Sequence, residues 1–243
     1  MIIIILGMHR SGTSTVAGLL HLNKISMGTY SNFWPRPLSQ NPKGFYENYD
    51  FRKINDQILE NVGYNVKSYK TQIPTPMLTD KIQNKMEKVI SNCNKDYSAW
   101  GWKDPRTSIT IKQWVDVITK MDLINSLKII FVARKASSVA RSLNKRNNLS
   151  ITNGLELWKS YTERAFQFCI NSNLPVHYCS FESILSNPIT TCDNIFDFVG
   201  TSWDTEIVKK FVDQSISTSD KGDTIKYPKN VDQLEKNVYS VIS

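Results

Sequence analysis

The sequence predicts an α/β fold: a single domain over residues 1–243, with a mostly parallel central sheet flanked by helices and a P-loop-like strand-loop-helix at its N-terminus. Three observations lead there. Ile2-Ile3-Ile4-Ile5-Leu6 is an apolar run without a polar break, as in a strand buried on both faces, and Leu127 to Ala133 repeats the pattern. Each run passes through a turn into a stretch with helical spacing, the alternation that builds parallel sheets. No Pro-, Ser- or Gly-rich linker and no internal repeat divides the chain.

The first element sets the chemistry. Behind the opening strand comes Gly7-Met8-His9-Arg10-Ser11-Gly12-Thr13-Ser14, and then Val16, Leu19, Leu20 and Asn23 at helical spacing. A Gly-bracketed turn thus delivers a helix N-terminus, where unpaired amides and the positive end of the helix dipole favour an anion. The turn resembles G-x-x-x-x-G-K-[ST], but Thr13 stands where the lysine belongs. That lysine neutralises the β- and γ-phosphates of a nucleoside triphosphate, so its absence argues against ATP. The nearest cation is Arg10, inside the turn.

After a short second strand expected at Lys24 to Gly28, residues 29–50 form an aromatic, Pro-rich stretch that no single regular element accommodates. A long irregular segment in a compact domain is more often a functional loop than an accident, and Glu47 lies at its end. Outer helices are expected from Phe51 to about Asn61 and from Met77 to about Asn92. Ala99-Trp100-Gly101-Trp102 reads as a short strand that delivers Lys103-Asp104-Pro105-Arg106 to its C-terminal end, where ligands gather in open parallel sheets. The bland alternative for that tetrad is a structural Asp104–Arg106 ion pair. A helix from Ser108 to Met121 follows, and then the strand 127–133, which ends on Arg134 before a helix carrying Ser142. Next come a core helix from about Thr152 to Asn171, a last strand at Val176 to Cys179 with a structural His177, and a helix ending at Gly200. The tail from about Trp203 is expected either to close over a ligand or to fray.

Composition is ordinary for a globular chain, with 40% hydrophobic and 21% charged residues. The 30 Lys+Arg against 22 Asp+Glu give +8, which favours anionic ligands without choosing among them. Cys93, Cys169, Cys179 and Cys192 show no C-x-x-C pairing and read as reduced thiols. No signal-peptide core is evident, and no run approaches the ~18 apolar residues that span a bilayer. The expectation is a soluble cytoplasmic protein that binds no nucleic acid.

Together these pieces resemble, over most of residues 1–200, the sulfotransferases that use 3′-phosphoadenosine 5′-phosphosulfate (PAPS), and most closely their bacterial and carbohydrate-type branch. The resemblance implies that Arg10, Ser11, Gly12, Thr13 and Ser14 hold the 5′-phosphosulfate, with Arg10 as its cation. It implies that Arg134 and Ser142, eight residues apart, hold the 3′-phosphate. Phe181-Glu182 with Asn187-Pro188 is similar to a structural stretch of the family, and Lys221-Gly222 is a partial echo of its C-terminal Arg-Lys-Gly segment. The catalytic His that small-molecule sulfotransferases place after a strand-end Lys is missing from Lys103-Asp104-Pro105. The carbohydrate-type branch uses a Glu downstream of the loop, which Glu47 after Asn41-Pro42-Lys43-Gly44 resembles, with Asp104 as runner-up.

The implied reaction moves a sulfuryl group from PAPS to a hydroxyl or amine, with a glycan as a guess for the acceptor and 3′-phosphoadenosine 5′-phosphate (PAP) as product. Glu47 would be the base, and Lys103 and Arg10 would bear on the developing charge. The sulfuryl group carries less charge than a γ-phosphoryl group, so amides and fixed cations suffice and no metal is expected. Two rivals remain: a P-loop kinase of a small metabolite, and a non-catalytic nucleotide-binding module.

Overall fold

The computed structural model describes residues 1–38, 41–212 and 225–242. Its elements in chain order are β1 (Ile2–Leu6), α1 (Thr13–Leu22), α2 (Tyr49–Glu60), α3 (Asp80–Asp96), β2 (Trp100–Lys103), α4 (Thr107–Lys120), β3 (Leu127–Ala133), α5 (Ala136–Asn147), α6 (Ile151–Asn171), β4 (Val176–Ser180), α7 (Phe181–Ser186), α8 (Pro188–Val199), α9 (Thr205–Phe211) and α10 (Lys229–Tyr239). The strands form one sheet in the order β2-β1-β3-β4, with every pair parallel.

β1 is central, which explains its unbroken run of isoleucines. Ile2, Ile4 and Leu6 face one core, with α2 to α6 and α10, while Ile3 and Ile5 face a second core with α1 and α8. The sheet buries both faces, so the sequence has no polar alternation there. On the first side Phe51 lies stacked on Trp102, with ring centroids 4.5 Å apart, and Trp114 packs 4.9 Å from Trp102. That aromatic layer fixes α2 and α4 against β2, the strand that ends on Lys103.

The strand expected at 24–28 is not formed. Lys24 and Gly28 have positive φ (73° and 124°) and bracket a segment that makes only one parallel bridge, Ser26 to Trp100. α3 starts at Asp80, later than the spacing suggested, because the Thr79 side chain caps it by accepting from the Ile82 N–H. α6, Ile151–Asn171, follows the bounds expected from its spacing closely. In the tail, α9 packs on α1 and α8, and α10 lays Val231, Leu234 and Val238 against the first core. Lys221-Gly222 lie outside the described residues.

Among the described residues no helix is long and apolar enough to cross a membrane. The four cysteines are free, and burial pushes each thiol up to about 12.

Candidate active site

The C-terminal ends of β1, β2 and β3 open into one cleft of about 300 Å³. Its floor is the turn between β1 and α1. Gly7 and Gly12 bracket that turn with φ of 154° and 84°, and a Cβ on Gly12 would fall 2.2 Å from the Phe181 ring. Glycine is therefore required where the sequence has it. Ser108 of α4 braces the start of the turn: its hydroxyl accepts from the Gly7 N–H at 3.0 Å. No side chain caps α1, so its first amides face the cleft uncovered by a capping group.

Lys103 comes from the end of β2 and is 1% exposed. Its Nζ donates to Glu47 Oε1 at 2.8 Å and to Ser14 Oγ at 3.1 Å, which joins the strand end, the 29–48 loop and the first turn of α1. A buried ammonium requires such partners. Glu47 does not cap α2, since the capping side chain is Asn48, which accepts from the Asp50 N–H. The loop fixes Glu47 through its backbone instead: its carbonyl accepts from the Trp34 N–H at 2.9 Å, and Phe33 bridges to Asn48. Tyr46 before it and Arg10 in the turn both hold left-handed backbone, φ 53° and 69°. Such conformations are costly away from glycine and cluster where a site dictates them.

Arg10 does not point where its place in the turn suggests. Its Nε donates to Ser142 Oγ on α5 at 2.8 Å, while Arg134 Nη1 donates to the Arg10 carbonyl at 2.9 Å. Arg134 also lies over the Phe181 ring, 4.5 Å from its centroid. Arg10, Ser142 and Arg134 thus form one basic group at the end of β3, and it is Lys103 that stands at the α1 end. Burial first, then Arg146 and Arg134, lower Arg10 to about 10. Guanidiniums crowded this way favour an anion among them.

Asp104 is turned away from the cleft. Its carboxylate accepts from Asn55 Nδ2 at 2.8 Å and from the Arg106 backbone N–H and Nη1 at 3.2 and 2.8 Å. Burial pushes it up, but Arg106 and Asn55 outweigh that and hold it below the usual carboxylate range. The tetrad's ion pair therefore exists, and Asp104 is committed to Asn55 and Arg106 rather than open to the cleft. Thr13 and Ser14 line the cleft, whereas Ser11 is buried, its N–H turned back to the Met8 carbonyl.

Sequence reasoning missed several contributors. Asn55 is a buried polar hub: its Oδ1 accepts from Thr110 and Trp114 at 2.6 and 2.8 Å while its Nδ2 serves Asp104 and Thr107. Arg52, Arg146 and Tyr69 line the cleft as well. The signal for Asn55 was present, because it falls on the apolar face of α2 between Ile54 and Ile58.

His9 also lines the cleft, but it is poorly suited to be a base. It packs edge-on to Tyr161, and burial, then Arg106, lower it to about 3. The folded protein keeps this imidazole neutral while the unfolded chain takes up a proton below about 6.5, so stability is lost as pH falls from about 6.5 towards 3, by up to about 1.4 kcal/mol per unit. Melting curves between pH 6.5 and 4 are expected to fall less steeply for His9→Asn than for the wild type; parallel curves would mean that His9 titrates normally.

The parallel sheet and the glycine-bracketed turn that opens α1 make this a P-loop-like architecture. The family model described as sulfotransferase family matches residues 3–205, and the chain belongs to that family. No curated protein matches it in sequence. Among solved structures it is similar to the sulfotransferase domain from the curacin biosynthetic pathway, at 13% identity and TM-score 0.60, covering 99% of this chain and 98% of that one. The sulfotransferase domain from the Synechococcus PCC 7002 olefin synthase gives 14% and 0.61, covering 98% and 94%. Sulfotransferase STF9 from Mycobacterium avium gives 12% and 0.51, covering 98% and 74%. At these identities the likeness is one of fold.

Proposed function

We propose that the protein transfers a sulfuryl group from PAPS to a hydroxyl or amine of an acceptor. One observation supports the choice of donor: polar and cationic groups gather in two clusters, Lys103 with Ser14 at the α1 end and Arg10 with Ser142 and Arg134 at the end of β3. The α1 end with Lys103 and Ser14 suits a 5′-phosphosulfate, and Arg10, Ser142 and Arg134 suit a 3′-phosphate. A nucleoside triphosphate has no group for the second site, which together with the missing loop lysine disfavours the kinase reading.

In this reading the acceptor oxygen or nitrogen attacks sulfur in line, and Glu47 takes the proton that the acceptor loses. The bond between sulfur and the bridging oxygen breaks, and Lys103 donates to that oxygen as negative charge gathers on the departing PAP. Lys103 can serve both ends of the exchange because it already reaches Glu47 and Ser14. Arg10, whose side chain is committed to Ser142, belongs with the 3′-phosphate rather than the sulfur. Residues 1–243 act as one sulfotransferase domain.

Transfer of labelled sulfate from PAPS to a panel of hydroxyl and amine acceptors tests the reading. Transfer is expected to persist in EDTA, because the loop lacks the Walker lysine of magnesium-dependent nucleotide enzymes. Strict dependence on magnesium with a triphosphate donor would put the kinase reading first.

A further inference from the structure

We infer that Arg52 reads a fixed negative charge on the acceptor, so that the substrate is an anion carrying a carboxylate, phosphate or sulfate close to the hydroxyl or amine that is modified. The inference rests on the proposed donor and on Glu47 as base. It starts from how the cleft's cations are occupied. Lys103 holds Glu47 and Ser14, and Arg10 holds Ser142. Arg106 is held between Asp104 and Asp56, at 2.8 and 2.6 Å, and those carboxylates keep it above the usual arginine range despite its burial. Arg52 differs. It lines the cleft, and its Nη1 is buried without a hydrogen-bond partner. The carboxylate one turn along its own helix, Asp56, is bound by Arg106 Nε.

A buried charged N–H left unsatisfied costs free energy, and an oxyanion bound in the cleft would supply the acceptor that Arg52 Nη1 lacks. The position of Arg52 says which ligand. It lies four residues beyond the cap Asn48, about 6 Å along α2, on the element that begins immediately after Glu47. The donor's charges are met by α1, β2 and α5. The rest of the lining comes from the 29–48 loop, from Arg52 of α2 and from residues 66–69, which add Lys67 at the rim and are tied to α5 through Asn147 Nδ2 donating to the Tyr69 hydroxyl at 2.7 Å. Among the cleft-lining residues Glu47 is the only carboxylate, and Lys103 partners it. An anionic acceptor therefore meets cations in the same cleft as the base, and the planar guanidinium of Arg52, in the first turn of the helix whose cap follows Glu47, can fix a forked oxyanion.

The test uses the full chain saturated with PAP, at constant ionic strength. Thermal shifts are titrated with glucuronate and glucose 6-phosphate against glucose, and with 4-hydroxybenzoate against 4-hydroxybenzyl alcohol. At least one anionic probe is expected to bind more tightly than its neutral partner. Arg52→Ala should weaken that probe about tenfold or more, Arg52→Lys should restore part of the loss, and the PAP shift should stay unchanged in both variants. No anionic preference in the wild type, or a preference that survives Arg52→Ala, overturns the inference. Loss of the PAP shift in Arg52→Ala, with the melting temperature of the unliganded variant intact, also overturns it by making Arg52 a donor ligand. If PAP fails to shift the wild type, the donor reading fails first and the role of Arg52 falls with it.

Discussion

Glu47→Gln is expected to cut turnover by roughly a hundredfold to ten-thousandfold while leaving PAP binding nearly unchanged, the usual share of a positioned general base. The amide keeps the size of the side chain and its oxygen can still accept from Lys103 Nζ, 2.8 Å away in the wild type. What it loses is the capacity to take a proton. The variant therefore separates chemistry from architecture better than truncation, which would strand the buried Lys103. Asp104→Asn is the matched control, and the two should fail differently. Asp104 is locked to Asn55 and Arg106 and is 1% exposed, so its loss should appear as lower stability, about 3 kcal/mol or more, as expected when one partner of a buried pair is removed. A stable Asp104→Asn protein without turnover, beside an active Glu47→Gln protein, would move the base to the end of β2.

Much of this arrangement was legible in the residues, for definable reasons. β1 and β3 show themselves because a strand covered on both faces excludes polar residues, and the same burial leaves the turn after each as the place where polar atoms collect. The glycines of the first turn are visible because a Cβ at Gly12 would strike Phe181. Lys103 and Glu47 could each be singled out, but their 2.8 Å contact spans 56 positions of sequence and depends on how the 29–48 loop folds back to β2. The direction of Arg10 was not legible. A residue inside the turn resembles a ligand for the anion at that turn, yet its left-handed backbone sends the side chain to Ser142. Arg52 was hidden for another reason. Arg52 and Asp56 have the i,i+4 spacing of a solvated helix pair, and only the tertiary fold gives Asp56 to Arg106 and brings Arg52 into the same cleft as residues 66–69.

Arg134→Ala should erase the preference for PAP over ADP that is expected of the wild type. In the proposed reading Arg134 and the Arg10–Ser142 pair at the end of β3 meet a 3′-phosphate, a group that ADP lacks. A charged hydrogen bond of this kind contributes about 1.5 to 3 kcal/mol, so losing it should weaken PAP by roughly tenfold to a hundredfold while ADP changes little. Because Arg134 Nη1 also holds the Arg10 carbonyl, some loosening of the turn will accompany the substitution. The comparison of two nucleotides on the same variant removes that common effect.

The central claim, that this cleft takes a nucleotide with separate 3′ and 5′ charges, is tested most directly by the thermal shift of the wild-type protein with PAP and with ADP at equal concentration. A ligand bound only by the folded state stabilises it by RT ln(1 + [L]/Kd), about 2.7 kcal/mol at a hundredfold excess over Kd. The two-site cleft predicts a substantially larger shift with PAP. Equal shifts from the two nucleotides would contradict it.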